Sequence, residues 1–231
     1  VAGSELASIT STGFDDALGG NDTIEAVDGE TIVIGGYGSD LITIGNGDAV
    51  LFGDNASITY TGGKLATLAT LDTVDATGGD DAITAGNTNG GTHHVLAGAG
   101  ADKVMLGEGD RIVLGDNGTI VYGTPGVALA SITSTGFDDS IGGDDTIETG
   151  NGNSVIVGGY GADQIKVGLG DAVLLGDSGQ IVYDGGALLT LETLDTTNAT
   201  GGDDIIEAGA GNHHVLAGIG ADKVTLGQGR R

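Results

Sequence analysis

A nine-residue spacing constrains this chain more than any other feature. From Ser140 the residues divide into SIGGDDTIE, TGNGNSVIV, GGYGADQIK, VGLGDAVLL and GDSGQIVYD. From Ala17 they divide into ALGGNDTIE, AVDGETIVI, GGYGSDLIT, IGNGDAVLF and GDNASITYT. A third set starts at Ala76, and a fourth at Ala199 is cut short. A unit of nine residues is too short to bury a face by itself, so such units must stack on one another.

A longer repeat lies over the short one. Leu6 to Thr88 matches Leu129 to Gly211 at a constant offset of 123 residues, and after a three-residue insertion near Asn89 the match resumes with His93-His94 against His213-His214. It stops at Arg230, where Asp110 would align. Each set of five nonads is followed by an aliphatic and Thr-rich linker such as KLATLATLDTVD or ALLTLETLDTTN. The expected organisation is one continuous repeat array over 1–231, with modules at approximately 1–61, 62–123, 124–184 and 185–231, the first and last truncated. A chain that starts and ends inside its own pattern is expected to be a segment of a longer array.

Composition narrows the function classes. Gly supplies 48 of 231 residues without a three-residue period, which signals tight turns in a regular array. Net charge is −26, and Asp far outnumbers Glu, a bias toward turns and oxygen-ligand sites. Seven Lys+Arg and 3% aromatics leave nucleic-acid binding without its charge or its stacking platforms. No apolar run of about 18 residues exists to span a membrane. The first residues carry neither a basic nor an apolar leader segment, so no signal peptide is expected. Without Cys, disulfides do not hold the chain together.

Gly158-Gly159-Tyr160-Gly161-Ala162-Asp163-Gln164-Ile165-Lys166 fits the nonapeptide G-G-x-G-x-D-x-U-x at every defined position, and Gly35 to Thr43 fits it equally. In these residues the chain resembles the RTX (repeats-in-toxin, haemolysin-type) family of calcium-binding, type I-secreted bacterial proteins. It departs from the family pattern in that only alternate nonads carry Asp at position six. The resemblance implies an all-β fold, a parallel β-roll or β-helix solenoid with two nonapeptides per 18-residue coil. The first six residues of each nonad form the turn and the last three a short strand, with the eighth residue inward. The inward column is then Ile24, Val33, Ile42, Leu51, Ile147, Ile156, Ile165 and Leu174.

Stacking sets Asp22 beside Asp40 and Asp145 beside Asp163, about one strand spacing, ~4.8 Å, apart. Carboxylates so close repel, and a hard cation between turns turns that cost into binding. The resemblance implies such an arrangement for multiple Ca²⁺ ions, and the spacing permits it. Candidate ligands are Asp22, Asp40, Asp54, Asp81, Asp102, Asp116, Asp145, Asp163, Asp177, Asp204 and Asp222. Weaker candidates on the opposite edge are Asp48, Asp110 and Asp171, which sit one position earlier in their nonads. The bland alternative is that these residues only make Asx turns on a solvated edge.

The two strand faces differ. In the second and fourth nonads of a set the outward residues are apolar: Ile32 and Ile34, Val50 and Phe52, Val155 and Val157, Val173 and Leu175. Such a stripe is larger than a soluble monomer leaves bare. We expect the linkers to cover it through Leu65, Leu68, Leu71, Leu129, Ile132, Leu188, Leu191 and Leu194. The alternative is that linkers form ordinary coils and the face mediates homo-association. His93 and His213 occupy the Asp position of their nonads, and adjacent strand residues face opposite ways, so turn hydrogen bonding is expected above a shared metal site.

The resulting functional expectation is a non-enzymatic, calcium-dependent structural segment, a rod or stalk of a secreted or surface-displayed protein such as an adhesin. Its partners are calcium ions and neighbouring repeats, and the RTX resemblance implies folding outside the cell after export. The alternative is the C-terminal secretion and folding domain of a secreted protease, lipase or epimerase. A carbohydrate-acting β-helix is disfavoured, because no Ser-His-Asp set, H-E-x-x-H or carboxylate pair with a nearby base stands out from the repeated positions.

Overall fold

The computed structural model describes residues 6–12, 19–71, 78–86, 90–124, 128–135, 141–194 and 201–229. All regular structure in them is β, arranged in three sheets.

The base sheet has eight strands: β2 (Thr23–Ala26), β4 (Leu41–Ile44), β8 (Ala82–Ala85), β10 (Lys103–Leu106), β14 (Thr146–Thr149), β16 (Gln164–Val167), β20 (Ile205–Ala208) and β22 (Lys223–Leu226). The middle sheet has seven: β3 (Thr31–Ile34), β5 (Ala49–Phe52), β9 (Gly91–Leu96), β11 (Gly109–Leu114), β15 (Ser154–Gly159), β17 (Ala172–Asp177) and β21 (His213–Leu216). Pairing in both is parallel and in sequence order. The chain alternates between the two sheets, so each pair of nonads makes one rung resting on the last. A parallel pair cannot be closed by a hairpin. Here the crossover is the opposite strand of the rung, held at its corners by glycines such as Gly36 (φ 113°) and Gly38 (φ 107°) in the turn before Asp40.

Strands of these two sheets are four residues or longer rather than three, because each takes a residue beyond the last three of its nonad. Base strands run on into position one of the next nonad, and middle strands start at position six. Two inward residues per strand result. The first core contains Val33, Ile42, Leu51, Ile147, Ile156, Ile165 and Leu174, with Ile24 packed at its margin, which is the column expected from the nonad phase. Ile44, Leu106 and Val167 extend it on the base side.

The fifth nonad of each set and the linker after it form the third, cover sheet, and here every pair is antiparallel. It contains β1 (Ser8–Thr10), β6 (Ala56–Thr61), β7 (Lys64–Thr70), β12 (Gly118–Thr124), β13 (Ala128–Ser134), β18 (Gly179–Asp184) and β19 (Ala187–Thr193). Fifth nonad and linker pair as a hairpin, β6 with β7, β12 with β13 and β18 with β19, so the fifth nonad leaves the rungs of the roll. Neighbouring hairpins also pair, β7 with β12 and β13 with β18. In the turns between β6 and β7 and between β18 and β19, Gly62 (φ 59°) and Gly185 (φ 57°) take the left-handed conformation.

A second core lies between cover and middle sheets. Val50, Phe52, Leu96, Leu114, Val157 and Leu175 face Ile58, Leu68, Ile120, Ile132 and Ile181, with Leu65, Leu129, Leu188 and Leu191 packed against them. The linkers therefore cover the apolar face, and the coil alternative is excluded. Leu71 and Leu194 are half-buried.

Candidate metal centre

Position six of the nonad points inward at both edges of the rung, and what stands there separates the edges. At the turns leading into the base sheet it is always Asp: Asp22, Asp40, Asp81, Asp102, Asp145, Asp163, Asp204 and Asp222. These residues form one continuous ladder. The backbone N–H of Asp22 donates to Asp40 Oδ1 at 2.7 Å, Asp40 to Asp81 at 2.7 Å, Asp81 to Asp102 at 2.7 Å and Asp102 to Asp145 at 2.7 Å. Asp145 donates to Asp163 at 2.8 Å, Asp163 to Asp204 at 2.9 Å and Asp204 to Asp222 at 3.1 Å.

One oxygen of every ladder carboxylate from Asp40 to Asp222 is thereby used in the rung stacking. The second oxygen, Oδ2 of Asp40, Asp81, Asp102, Asp145, Asp163 and Asp204, is buried with no hydrogen-bond donor. An ionised oxygen buried without a donor is costly, so such a site calls for a cation or a proton. Glycine makes the room. A Cβ at Gly35 would overlap Asp40 Oδ2 and the Gly53 carbonyl, and one at Gly158 would overlap Asp163 Oδ2 and the Gly176 carbonyl. Gly53, Gly115 and Gly176 stand in the same relation to Asp81, Asp145 and Asp204.

Asp54, Asp116 and Asp177 lie on this same edge but off the ladder, at position two of the nonad that opens each hairpin. Asp54 Oδ2 accepts from Ala99 N–H at 2.6 Å, Asp116 Oδ2 accepts from Tyr160 N–H and Asp177 Oδ2 from Ile219 N–H. Their charges act on the ladder: Asp54 and Asp116 raise the Asp102 pKa, Asp116 raises that of Asp145, and Asp177 that of Asp204.

Burial is the first cause of the shifts, and the neighbouring carboxylates add to it. Asp81 and Asp204 are pushed up to about 7, and Asp102, Asp116, Asp145 and Asp163 well above the usual carboxylate range. Without a cation, ionising these groups is costly. With one, the same burial strengthens the attraction.

A column at position five escaped the sequence reading. Asn21, Asp80, Asp144 and Asp203 accept the N–H groups of Ser39 at 3.0 Å, Ala101 at 2.9 Å, Ala162 at 2.7 Å and Ala221 at 2.8 Å. Asp-Asp or Asn-Asp at positions five and six of alternate edge turns was the available signal.

Opposite, Asp48, Asp110 and Asp171 are exposed, and their Oδ1 atoms accept from Thr92 N–H at 2.8 Å, Asn153 N–H at 2.9 Å and Asn212 N–H at 2.8 Å. The His pairs split between faces. His94 Nε2 meets the Tyr122 hydroxyl under the cover sheet, with burial pushing the imidazole pKa down to about 4, while His213 Nε2 reaches the Gly209 carbonyl at 2.8 Å.

Among the described residues, no three acidic or histidine side chains converge as a ready metal centre. A cation at the Asp ladder must therefore combine carboxylate Oδ2 atoms with backbone carbonyls. That oxygen-only donor set suits a hard ion of flexible coordination, Ca²⁺ before any other.

Among the described residues, no helix is long and apolar enough to cross a membrane. No curated protein and no solved structure matches the chain. Residues 139–174 and 198–230 match the family model of the RTX calcium-binding nonapeptide repeat in 4 copies. These two stretches, 139–174 and 198–230, are thus similar to RTX calcium-binding nonapeptide repeats, a repeat type that binds multiple Ca²⁺ ions.

Proposed function

We propose that the whole chain, 1–231, is one β-roll solenoid and serves as a calcium-dependent structural segment, a rod or stalk in a secreted or surface-displayed protein, with no catalytic role. The carrying observation is the ladder in which six buried Asp Oδ2 atoms lack a donor. Asp22, Asp40, Asp81, Asp102, Asp145, Asp163, Asp204 and Asp222 are the proposed primary ligands, and Asp54, Asp116 and Asp177 supply further negative charge from the hairpin openings. Bound Ca²⁺ supplies the positive charge that this edge otherwise lacks.

The residues do the rest. Oδ1 of each Asp from Asp40 to Asp222 fixes the neighbouring rung, which leaves Oδ2 for the ion, and Gly35, Gly53, Gly115, Gly158 and Gly176 keep the space open beside it. Without the ion, repulsion along the ladder and the entropy of 48 glycines oppose folding. Millimolar external calcium favours the folded array, so the segment stays extensible during export and stiffens outside. Circular dichroism during calcium titration of EDTA-treated protein tests this reading. β-structure should develop with calcium and revert with chelator; β-structure and melting temperature indifferent to calcium would sink it.

A further inference from the structure

At the edge leading into the middle sheet, position six is occupied by Thr31, Ala49, His93, Arg111, Ser154, Ala172 and His213, in parallel register down the sheet. Arg111 stands where an Asp stands on the other edge. Its side chain is 2% exposed, among the largest fully enclosed side chains of the protein. Nη1 donates to the Gly150 carbonyl at 2.7 Å and Nη2 to the Asn151 carbonyl at 2.7 Å, both in the turn of the next rung. A Cβ at Gly152 would overlap the Gly109 carbonyl and also meet Nη2, so the guanidinium sits close against that turn.

The other edge presents carboxylate oxygens and carbonyls that need a cation between them. Here the cation is part of the chain. Its planar fork suits two adjacent carbonyl oxygens, and a buried Arg stays protonated. His213 serves its own turn in the same way at the Gly209 carbonyl.

Two further features separate the edges. Position one carries Ala26, Ile44, Ala85, Leu106, Thr149, Val167 and Ala208, so a side chain stands where Gly35, Gly53, Gly115, Gly158 and Gly176 leave room beside the Asp ladder. Asp48, Asp110 and Asp171 sit at position five, on the outward side, where backbone N–H groups of the neighbouring rung already bind them.

We propose that this edge takes no calcium, and that the Arg111 guanidinium clamps rungs β11 and β15 in place of a metal ion. The inference rests on the calcium reading of the opposite edge for its contrast, but its own test separates the two. Calcium bound per chain is measured by metal analysis after dialysis, together with the melting temperature at saturating calcium. The variants are Asp48→Asn/Asp110→Asn/Asp171→Asn, Arg111→Met and Arg111→Lys.

The triple variant should bind as much calcium as the parent chain, and its exposed positions leave folding intact. Arg111→Met should melt several degrees lower with its calcium count unchanged, and Arg111→Lys, which keeps the charge, should recover part of the loss. Loss of one or more ions in the triple variant overturns the proposal, as does an unchanged melting temperature in Arg111→Met. A parent chain that binds no calcium would instead refute the function proposed above, while the Arg111→Met melting experiment would still judge the clamp.

Discussion

Asp145 donates its backbone N–H to Oδ1 of Asp163 over 2.8 Å, and the two residues are 18 positions apart, one rung of the winding. The carboxylate that stitches one rung to the next is therefore the one whose other oxygen faces the enclosed edge. Rung stacking and the proposed cation binding therefore share a side chain.

Replacing Asp163 should accordingly damage calcium-induced folding more than replacing Asp184, which is exposed at the end of a cover strand. Asp163→Ala removes one charged ligand and one rung link, a loss of about 1–3 kcal/mol. The calcium midpoint followed by circular dichroism should rise roughly tenfold or more, with Asp184→Ala near the parent value. Equal shifts would count against the ligand assignment.

Acidity should act in opposite senses with and without calcium. Burial, reinforced by neighbouring carboxylates, raises the folded-state pKa of Asp81 and Asp204 from 3.8 to about 7. A group whose folded pKa lies above its unfolded one favours the fold below the unfolded value and loses that contribution as pH rises through the folded value. In EDTA, stability to urea should therefore fall as pH is raised from about 4 to above 7. In limiting calcium the sign reverses, because protons compete for the same oxygens: the calcium midpoint should increase as pH drops below 7. Parallel pH profiles with and without EDTA would refute this competition.

Gly158→Ala tests the open space directly. Its φ is not in the left-handed region, so the added Cβ causes no backbone strain, but it would overlap Asp163 Oδ2 and the Gly176 carbonyl. The calcium midpoint should rise and the melting temperature fall. Gly20→Ala, where nothing lies within 4 Å, is the matched control and should be neutral.

The cover sheet should contribute stability without contributing calcium affinity. Leu68 is fully buried between cover and middle sheets, and Leu68→Ala should cost about 2–5 kcal/mol in denaturant unfolding at saturating calcium. Leu189 is 68% exposed on the same sheet, and Leu189→Ala should change little. A Leu68→Ala variant as stable as its parent would mean that the layer is dispensable.

Much of this was readable from the residues because it is periodic. The phase of the nonad fixes Ile42, Leu51, Ile147 and Ile156 as inward, since a one-residue slip would expose the whole column. The apolar outer face of Val50, Phe52, Val157 and Leu175 likewise announced that something must lie on it. The manner of covering was not readable. Alternating Leu and Thr in a linker permits parallel or antiparallel pairing alike, and only the hairpin turn at Gly62 decides it. Asp54, Asp116 and Asp177 resemble ladder residues in composition, yet their place at position two sends them to the hairpin openings. Arg111 was hidden for a different reason. A cation filling a ligand's position breaks the motif, and a broken motif reads as absence until the carbonyls of Gly150 and Asn151 are seen beside it.

Each full module adds two strands to every sheet: β8 and β10, β9 and β11, β12 and β13, then β14 and β16, β15 and β17, β18 and β19. The three layers therefore lengthen at one pitch, about 10 Å per module at the usual strand separation, and none must stretch or buckle to keep step with the others. Interstrand hydrogen bonds point along that growth direction. A pull on the two ends is shared at every level by three ladders abreast, with the carboxylate stitches at one margin and the guanidinium clamp at the other. The weakest level, rather than the number of levels, sets the force at which such a stack yields.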